Sequence, residues 1–334
     1  MQNIYIEEHI QHHPRVAHIL SRFKNKTIIT CKHYGEVFNR KNQNFRQQKQ
    51  NPDLILAEKK GKKVLPAPDG FGIASHRNFY FSHLLNCPFD CRYCFLQGLY
   101  RSANYVLFIN YEDFFLEIES TIKDSKSPCV FFSGYDADSL AYEPITHFTE
   151  SFLPFFKQHK TATLELRTKS ANIQSLLKHS PSDNIVVAFS FTPHDISKAI
   201  EHKVPSLDKR LTAMRTVADH GYPIGVRLDP LIYADNFEEL YHKLISDIFQ
   251  NVKKTHIHSV SIGPLRFPKK MHETIRSLYP NDPLIQQPLQ SEKRIISYPR
   301  DKQETMEITI RKLLSEHIDP EHIFSCLDEA TPLS

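Results

Sequence analysis

The feature that most constrains the fold is an alternation of short β-rich runs with amphipathic segments, which begins after about residue 70. This alternation is typical of βα units around a parallel sheet. Six strands suit a partial (β/α)6 barrel of the TIM type, with one site at the carboxyl ends of the strands. A doubly wound sheet stays open as the alternative, because periodicity does not say whether a parallel sheet closes. We predict strands at residues 79–84, 129–133, 163–167, 185–191, 224–228 and 256–262, and helices at residues 111–123, 145–157, 170–179, 206–220 and 236–253.

The chain divides into three predicted regions. Residues 1–70 form a basic α+β leader, with a helix near residues 15–23 and strands near 27–30 and 54–58. Residues 71–280 form the barrel, and residues 66–70 mark the boundary before it. Residues 281–334 form a C-terminal extension, whose amphipathic helix over residues 304–314 is expected to pack on the open side of the barrel.

Composition excludes several classes of protein. Of the 334 residues 40% are apolar and 24% are charged, which predicts a globular protein with a sizeable core. No apolar run approaches the roughly eighteen residues that cross a bilayer, and the first residues contain no apolar signal core. Six cysteines are too few and too unevenly placed for a disulfide framework, so we expect a reducing, cytoplasmic location. Nine glycines form no GxGxxG or GxxxxGK[ST] motif, which argues against a glycine-cradled phosphate site.

The positive charge is concentrated in the leader. The whole chain has a formal net charge of +4, but residues 1–70 hold 13 Lys and Arg against 6 Asp and Glu. The sharpest segment, residues 37–50, carries Arg40, Lys41, Arg46 and Lys49 and no acidic residue. Such a segment can follow a phosphate backbone, so DNA or another nucleic acid is a candidate partner. A solvated loop is the alternative, because charge runs usually face water.

The strongest motif is a C-x3-C-x2-C run formed by Cys87, Cys91 and Cys94, directly after the first predicted barrel strand. Three thiolates in one loop indicate a metal centre. A structural zinc site needs four closed ligands, whereas a 4Fe-4S cluster held by three thiolates leaves one iron open to a small molecule. The alternative is a zinc site with His83 as the fourth ligand, although zinc sites more often use two paired CxxC knuckles.

This spacing resembles the cluster-binding motif of radical S-adenosylmethionine enzymes, which usually has an aromatic residue where Tyr93 stands. The resemblance implies that S-adenosylmethionine binds the open iron and is cleaved reductively to a 5′-deoxyadenosyl radical. Such barrels also carry a polar turn after the second strand that holds the cofactor's amino group. Residues 132–138 (FSGYDAD) stand at that position, with Ser133, Gly134 and Asp138 as candidate contacts.

Further blocks resemble the spore photoproduct lyase family. They are CFLQ at residues 94–97, LELRTK at 164–169, VAFS at 187–190, SLDKR at 206–210 and GYPIG at 221–225. The resemblance covers most of the chain. It implies a 4Fe-4S cluster, S-adenosylmethionine, and a lyase that abstracts hydrogen from a thymine dimer in DNA so that the linking bond fragments.

The resemblance implies roles for individual residues. Asp138, Lys169 and Ser190 match positions that line the cofactor site, where an ammonium and a hydroxyl group can hold a carboxylate. Taken alone, these residues fit a helix N-cap, a solvent-facing lysine and a strand serine. Arg227, with Asp229, ends the fifth strand and is a candidate cofactor contact in the barrel mouth. An internal salt bridge that closes the barrel is the alternative.

Three departures from the family pattern bear on the substrate. Tyr135 stands where the family has a cysteine that donates hydrogen to the product radical, so we predict Tyr135 as a catalytic donor. Tyr93 is the second predicted catalytic residue, but its relay partner position is Phe95, which has no hydroxyl group. The segment at residues 294–302 lacks the glycine expected of the family's DNA-inserting hairpin.

Two alternatives to lesion repair therefore remain open. One is a divergent member of the family that acts on a different substrate. The other is a non-catalytic protein whose cysteines hold zinc and whose leader binds nucleic acid. For the enzyme we expect a reductase or a flavodoxin-type protein as electron donor, no membrane association, and a monomer.

Overall fold

The computed structural model describes residues 2–68, 72–73, 77–125 and 127–325. The predicted leader helix and both predicted leader strands are confirmed, whereas two strands and two short helices were not predicted. Part of the predicted boundary at residues 66–70 lies outside the described residues. The leader elements are β1 (Asn3–Glu7), α1 (Pro14–Leu20), β2 (Thr27–Cys31), α2 (Gly35–Phe38), α3 (Phe45–Gln50), β3 (Leu54–Ala57) and β4 (Val64–Pro66).

All six barrel strands are confirmed to within a few residues, as are four of the five helices between them. Their apolar, β-branched and aromatic residues leave them buried on both faces, which is usual for parallel strands covered by helices. The elements are β5 (Arg77–Phe81), β6 (Leu84–Leu85), β7 (Asp90–Cys91), α4 (Leu96–Leu99), β8 (Tyr105–Phe108), α5 (Tyr111–Asp124), β9 (Cys129–Phe132), α6 (Glu143–Thr146), α7 (Phe148–Gln158), β10 (Ala162–Thr168), β11 (Ile185–Ser190), α8 (His194–Ile200), β12 (Glu201–His202), α9 (Leu207–His220), β13 (Ile224–Leu231), α10 (Phe237–Asn251) and β14 (Ile257–Pro264).

The predicted helix at residues 170–179 is wrong. Only a 3-10 turn at Leu176–Lys178 forms within it. The hydroxyl oxygen of Thr168 accepts a hydrogen bond from the backbone N–H of Ser170, and the hydroxyl oxygen of Ser170 accepts one from Asn172. Such local bonds between side chains and backbone compete with helix formation, and apolar periodicity does not reveal them.

The main sheet has eight strands in the order β4-β5-β9-β10-β11-β13-β14, with a final strand β18 (Ile323–Ser325) beyond β14. All its pairings are parallel except that of β4 with β5. The sheet is open and curls into a half-barrel, which confirms the predicted partial barrel. Because the parallel strands run in one direction, their carboxyl ends meet at one face, where the loops can build a site.

The leader shares a second sheet with part of the barrel region. This sheet has the order β2-β1-β3-β8-β6, so β3 pairs with a strand that follows the cysteine motif. The leader is therefore attached through backbone hydrogen bonds to the segment around the predicted cluster loop. Residue 70 does not separate two independent sheets.

The core between the half-barrel and its helices is rich in aromatic side chains. Phe81 stacks on Phe152, with ring centroids 5.1 Å apart, and Phe152 also stacks on Phe148 at 4.3 Å. All three side chains are fully buried. Rings of this size contribute large buried areas, and truncation of one to alanine typically costs about 3–5 kcal/mol.

The chain after β14 adds a small antiparallel sheet and two helices, of which only the second helix lies within the predicted extension at residues 281–334. The predicted amphipathic helix is confirmed and packs against α10 and against β14, the strand next to the edge strand β18. No helix in the described parts of the chain is long and apolar enough to span a membrane. The remaining elements are β15 (Arg266–Pro268), α11 (Lys269–Leu278), β16 (Gln290–Glu292), β17 (Ile295–Ser297) and α12 (Arg300–Ser315).

Candidate active site

The three cysteines of the C-x3-C-x2-C motif lie in one loop between β6 and α4. Their thiols are free, and Cys91 is buried while Cys87 and Cys94 are partly buried. The middle of the loop is fixed by antiparallel pairing of β7 with β12, in which Cys91 faces Glu201. Arg92 adds a backbone hydrogen bond to the carbonyl oxygen of Ile200 at 2.9 Å. The loop is therefore held in place by the protein itself, as a preorganised metal site requires.

Burial opposes ionisation of the three thiols, whereas two nearby cations favour it. Burial raises the pKa of Cys87 to about 12 and also raises the pKa values of Cys91 and Cys94. Two cations act in the opposite direction, because Lys49 lowers the pKa of Cys87 and Cys94, and Lys169 lowers that of Cys91 and Cys94. Metal binding requires thiolates, so cations beside the loop favour the form that binds.

The donor set fits a cluster better than a single ion. Among the described residues, no three His, Cys, Asp or Glu side chains converge on one point as ligands of a shared ion. A cubane does not require such convergence, because each of its thiolates binds a different iron. The side chain of His83, the fourth ligand of the zinc alternative, instead stacks on Phe148 at 4.0 Å in the aromatic core.

Tyr93 connects the loop to a buried ion pair. Its hydroxyl group donates a hydrogen bond to Glu201, which also accepts hydrogen bonds from Ser197 and from Thr192 at 3.0 Å. The guanidinium group of Arg210 lies 2.9 Å from the carboxylate of Glu201, and both side chains are fully buried. The arginine of the SLDKR block thus stabilises the carboxylate that holds Tyr93.

Lys169 follows β10 and is the candidate carboxylate-binding residue. Its ammonium nitrogen lies 5.3 Å from the centroid of the Tyr93 ring, and it forms no ion pair with a carboxylate among the described residues. Ser190 ends the neighbouring strand β11 and is buried, and its carbonyl oxygen accepts a hydrogen bond from Arg210 at 3.0 Å. The structure thus places Lys169 beside the cysteine loop. Arg210 links Ser190 to the same loop, because Arg210 also pairs with Glu201, which faces Cys91.

The polar turn after β9 is tightly structured. The carboxylate of Asp138 accepts hydrogen bonds from Leu140, Ala141 and Lys169 backbone N–H groups and from the Thr168 hydroxyl group, at 2.6–3.0 Å. Asp138 therefore caps the turn at residues 139–142 and not a helix, since α6 begins only after its own N-cap Tyr142. Asp138 also ties this turn to the end of β10.

Two other predicted contacts, Ser133 and Gly134, shape the same turn. The hydroxyl group of Ser133 lies 2.8 Å from that of Ser139 and donates to the carbonyl oxygen of Glu165 at 3.2 Å. A β-carbon on Gly134 would stand 2.8 Å from the Ser139 hydroxyl oxygen and 2.9 Å from the carbonyl oxygen of Arg167. The backbones of β9 and β10 approach too closely here for any residue except glycine.

Tyr135 lies in an aromatic group beside the cysteine loop. Its ring centroid is 4.3 Å from that of Tyr80 and 5.3 Å from that of Phe95, the residue that follows Cys94. Burial, together with the nearby Asp136, raises the pKa of Tyr135 to about 12, so the phenol keeps its proton. A protonated phenol at this place retains the hydrogen that the predicted donor role requires.

Arg227 is engaged in an internal ion pair. Its guanidinium group lies 2.8 Å from the carboxylate of Glu165, and both residues are fully buried. It also donates to the Ser259 and Val226 carbonyl oxygens, each at 3.1 Å. Burial alone would raise the pKa of Glu165, but Arg227 and Arg167 hold it at about 2. This placement matches the salt-bridge alternative, since a contact with the cofactor would require the pair to open.

The basic segment at residues 37–50 is only partly the solvated loop of the alternative interpretation. Residues 39–44 form a loop between α2 and α3, whereas Lys49 on α3 is buried with its ammonium group 2.8 Å from the carbonyl oxygen of Cys87. Arg46 lies over the ring of Tyr279 at 5.6 Å. Arg40 and Lys41 are exposed to solvent. Only part of the segment is thus free to meet a polyanion.

The C-terminal segment forms a hairpin without glycine. The strands β16 and β17 pair antiparallel, and Lys293 at the turn adopts a φ of 53°. Lys293 and Arg294 are exposed, as is Ile295 at 41%. The hairpin spans residues 290–297 and so overlaps only the first part of the predicted segment at residues 294–302. Its basic tip is a second candidate contact for a polyanion.

Sequence reasoning missed three groups at this site. Arg210 is the last residue of the SLDKR block, and the resemblance of that block to the family was the only signal for it. Glu201 lies in a two-residue strand with no recognisable pattern, and Lys49 was counted among solvent-facing charges. A lysine four residues after the buried Phe45 lies on the same helix face, which was the overlooked signal.

The half-barrel, the three-cysteine loop and Lys169 beside it define a radical S-adenosylmethionine enzyme. The family model "Spore photoproduct lyase" matches residues 79–324. The chain therefore belongs to the spore photoproduct lyase family.

Individual relatives agree with this assignment. The chain is 24% identical to spore photoproduct lyase of Bacillus subtilis (strain 168) over 333 residues, which is 95% of this chain and 94% of that protein. It is 25% identical to the enzyme of Geobacillus sp. (strain Y412MC61) over 59% of each chain. A solved cysteine-to-serine mutant of spore photoproduct lyase superposes with a TM-score of 0.84 at 18% identity, covering 97% of this chain and 98% of the other. A second mutant, with bound AdoMet and dinucleoside spore photoproduct, has the same TM-score, identity and coverage.

Proposed function

We propose that this protein reverses a thymine dimer in DNA by the radical chemistry of spore photoproduct lyases. The single observation that carries the proposal is the cysteine loop at the carboxyl end of the half-barrel, in a chain that belongs to that family. A structure of a spore photoproduct lyase mutant contains AdoMet and the dinucleoside spore photoproduct, which supports the same ligands here.

Cys87, Cys91 and Cys94 would hold a 4Fe-4S cluster, and one iron would stay open for S-adenosylmethionine. With both bound, the cluster supplies the electron that cleaves the sulfonium and generates the 5′-deoxyadenosyl radical that abstracts hydrogen. The protein's part is to position the reactants and to exclude water. Lys169, which lacks a carboxylate partner in the described residues, is the proposed contact for the methionine carboxylate.

Ser133, Gly134 and Ser190 would line the cofactor site with Lys169. Gly134 supports this by allowing close approach of two backbones, so that carbonyl oxygens of the turn can face an ammonium group. Asp138 would act indirectly, because its carboxylate is already saturated by four hydrogen bonds that fix this turn and the backbone of Lys169.

The polyanionic substrate would approach between two basic surfaces. One is the exposed part of the leader around Arg40 and Lys41, and the other is the hairpin tip at Lys293 and Arg294. Phosphate contacts of this kind orient DNA without reading its sequence. A flavodoxin-type protein or reductase as electron donor, a monomeric state and a cytoplasmic location complete the proposal.

Anaerobic reconstitution with iron and sulfide tests the proposal. The loaded protein should release 5′-deoxyadenosine from S-adenosylmethionine after dithionite reduction and should convert dinucleoside spore photoproduct to thymines. Cys91→Ala should lose the cluster, whereas Cys129→Ala is the matched control, since Cys129 is a free buried cysteine outside the loop. A loaded protein that leaves S-adenosylmethionine intact would contradict the proposal.

A different substrate is the second candidate function, and the Tyr135 position favours it. A tyrosine packed against Tyr80 stands where the family pattern has a cysteine after the second strand. Cleavage of S-adenosylmethionine without change in spore photoproduct or in ultraviolet-irradiated DNA would support this candidate over lesion repair.

A further inference from the structure

Lys49 is a buried cation that the described part of the chain does not neutralise. Its side chain is 7% exposed, although it belongs to a segment that otherwise carries solvent-facing charges. The ammonium group donates one hydrogen bond, to the carbonyl oxygen of Cys87 at 2.8 Å. It forms no ion pair with any carboxylate of the described residues. A buried ammonium group with a single neutral partner is costly unless a negative charge lies nearby.

Hydrogen bonds to segments on both sides of the cysteine loop hold Lys49 in place. The carbonyl oxygen of Lys49 accepts a hydrogen bond from the ammonium group of Lys203 at 2.7 Å. The preceding residue, Gln48, accepts hydrogen bonds from the backbone N–H of Ala103 at 3.0 Å and from the Ser102 hydroxyl group at 3.4 Å. These contacts tie α3 to the segment after the cysteines and to the turn after β12. The side chain of Lys49 is thus directed at the loop by a fixed support.

The charge of Lys49 lies at the first cysteine of the loop, because its ammonium group is bonded to the backbone of Cys87 itself. Lys169 lies on the barrel side of the same loop, with its ammonium nitrogen 5.3 Å from the centroid of the Tyr93 ring. Two cations from different elements therefore flank the three cysteines, one from the leader and one from the end of β10.

We propose that Lys49 is a positioning residue whose fixed positive charge raises the reduction potential of the iron-sulfur cluster held by the loop. This inference rests on the proposed function, because it needs the cluster. Net charge, hydrogen bonds and solvent exposure set the potential of such clusters. Reduction adds one negative charge to a site that already holds three thiolates. A nearby cation in a water-poor environment stabilises the reduced form more than the oxidised form.

The charge and the hydrogen bond of Lys49 can be separated by substitution. Lys49→Met removes both, Lys49→Gln keeps a donor for the Cys87 carbonyl oxygen without the charge, and Lys49→Arg keeps the charge. Lys62→Met is the matched control, because Lys62 is an exposed lysine of the same leader region.

The experiment is an anaerobic redox titration of the reconstituted proteins, followed by the electron paramagnetic resonance signal of the reduced cluster. At a fixed potential, Lys49→Met and Lys49→Gln should lower the ratio of reduced to oxidised cluster by about tenfold, which is about 59 mV for one electron. Lys49→Arg and Lys62→Met should titrate within twofold of the wild type.

Each outcome decides between the two proposals. A normal content of iron and sulfide with an unchanged midpoint in Lys49→Gln would overturn the role of Lys49 and leave the proposed function intact. If Lys49→Met fails to hold a cluster, Lys49→Gln alone decides, because it preserves the bond to the loop. A wild-type protein that assembles no cluster would instead refute the proposed function and this inference together.

Discussion

The hydroxyl group of Tyr93 donates its hydrogen bond to the carboxylate of Glu201, and Glu201 in turn is paired with the buried Arg210. A residue of the cysteine loop is thereby connected to α9, on the far side of β11. Because Arg210 also donates to the Ser190 carbonyl oxygen, one ion pair fixes both the loop and the end of a barrel strand. The geometry of the loop depends on charges that do not touch the cysteines.

We expect Glu201→Gln to destabilise the protein strongly. The substitution leaves Arg210 buried without an anion, and loss of one partner of a buried pair typically costs about 3–5 kcal/mol. Tyr93→Phe removes a single hydrogen bond to a charged group and should cost about 1–2 kcal/mol. Urea unfolding of the cluster-free protein measures both. Equal losses of unfolding free energy in the two variants would contradict the larger contribution assigned to Glu201.

The sequence predicts the half-barrel better than it predicts the site. Strands such as β11 are continuous apolar runs, which are recognisable because both faces are buried. The cysteines are recognisable by spacing. Lys49 and Glu201 are not, because their roles depend on which distant segments the topology brings beside the loop. A charged residue in isolation predicts a solvent-exposed position, and only tertiary contacts reverse that expectation.

The second prediction concerns pH and Glu143. Burial raises the pKa of Glu143 from 4.5 to about 7 in the folded protein. Because the folded pKa is the higher one, the neutral form is favoured in the fold. Its contribution to stability is full below pH 4.5 and is lost as the pH rises to about 7. The loss should be of order 3 kcal/mol.

The measurement compares the free energy of unfolding at pH 5 and pH 8. The wild type should lose more stability over this interval than Glu143→Gln, which cannot ionise. Glu239→Gln serves as the control, because Glu239 is exposed on α10. Identical pH profiles for the wild type and Glu143→Gln would show that Glu143 titrates normally in the fold.

The third prediction tests Tyr135 as the hydrogen donor to the product radical. Tyr135→Phe preserves the ring contacts with Tyr80 and Phe95 but removes the hydrogen of the phenol. Cleavage of S-adenosylmethionine should continue, while repaired product per 5′-deoxyadenosine should fall by at least about tenfold, the factor equivalent to 1.4 kcal/mol. Tyr80→Phe is the matched control. A product ratio that Tyr135→Phe leaves unchanged would remove Tyr135 from the reaction.

The last prediction distinguishes the two interpretations of Arg227. If its pair with Glu165 only closes the half-barrel, Arg227→Met should cost about 3–5 kcal/mol, because it leaves the Glu165 carboxylate with Arg167 as its one cationic partner. The double variant Arg227→Met/Glu165→Met should recover part of that loss, since no buried carboxylate remains. Once loaded with its cluster, the double variant should bind S-adenosylmethionine with an unchanged Kd by equilibrium dialysis. If the Kd of this double variant for S-adenosylmethionine is raised tenfold or more, Arg227 contacts the cofactor instead.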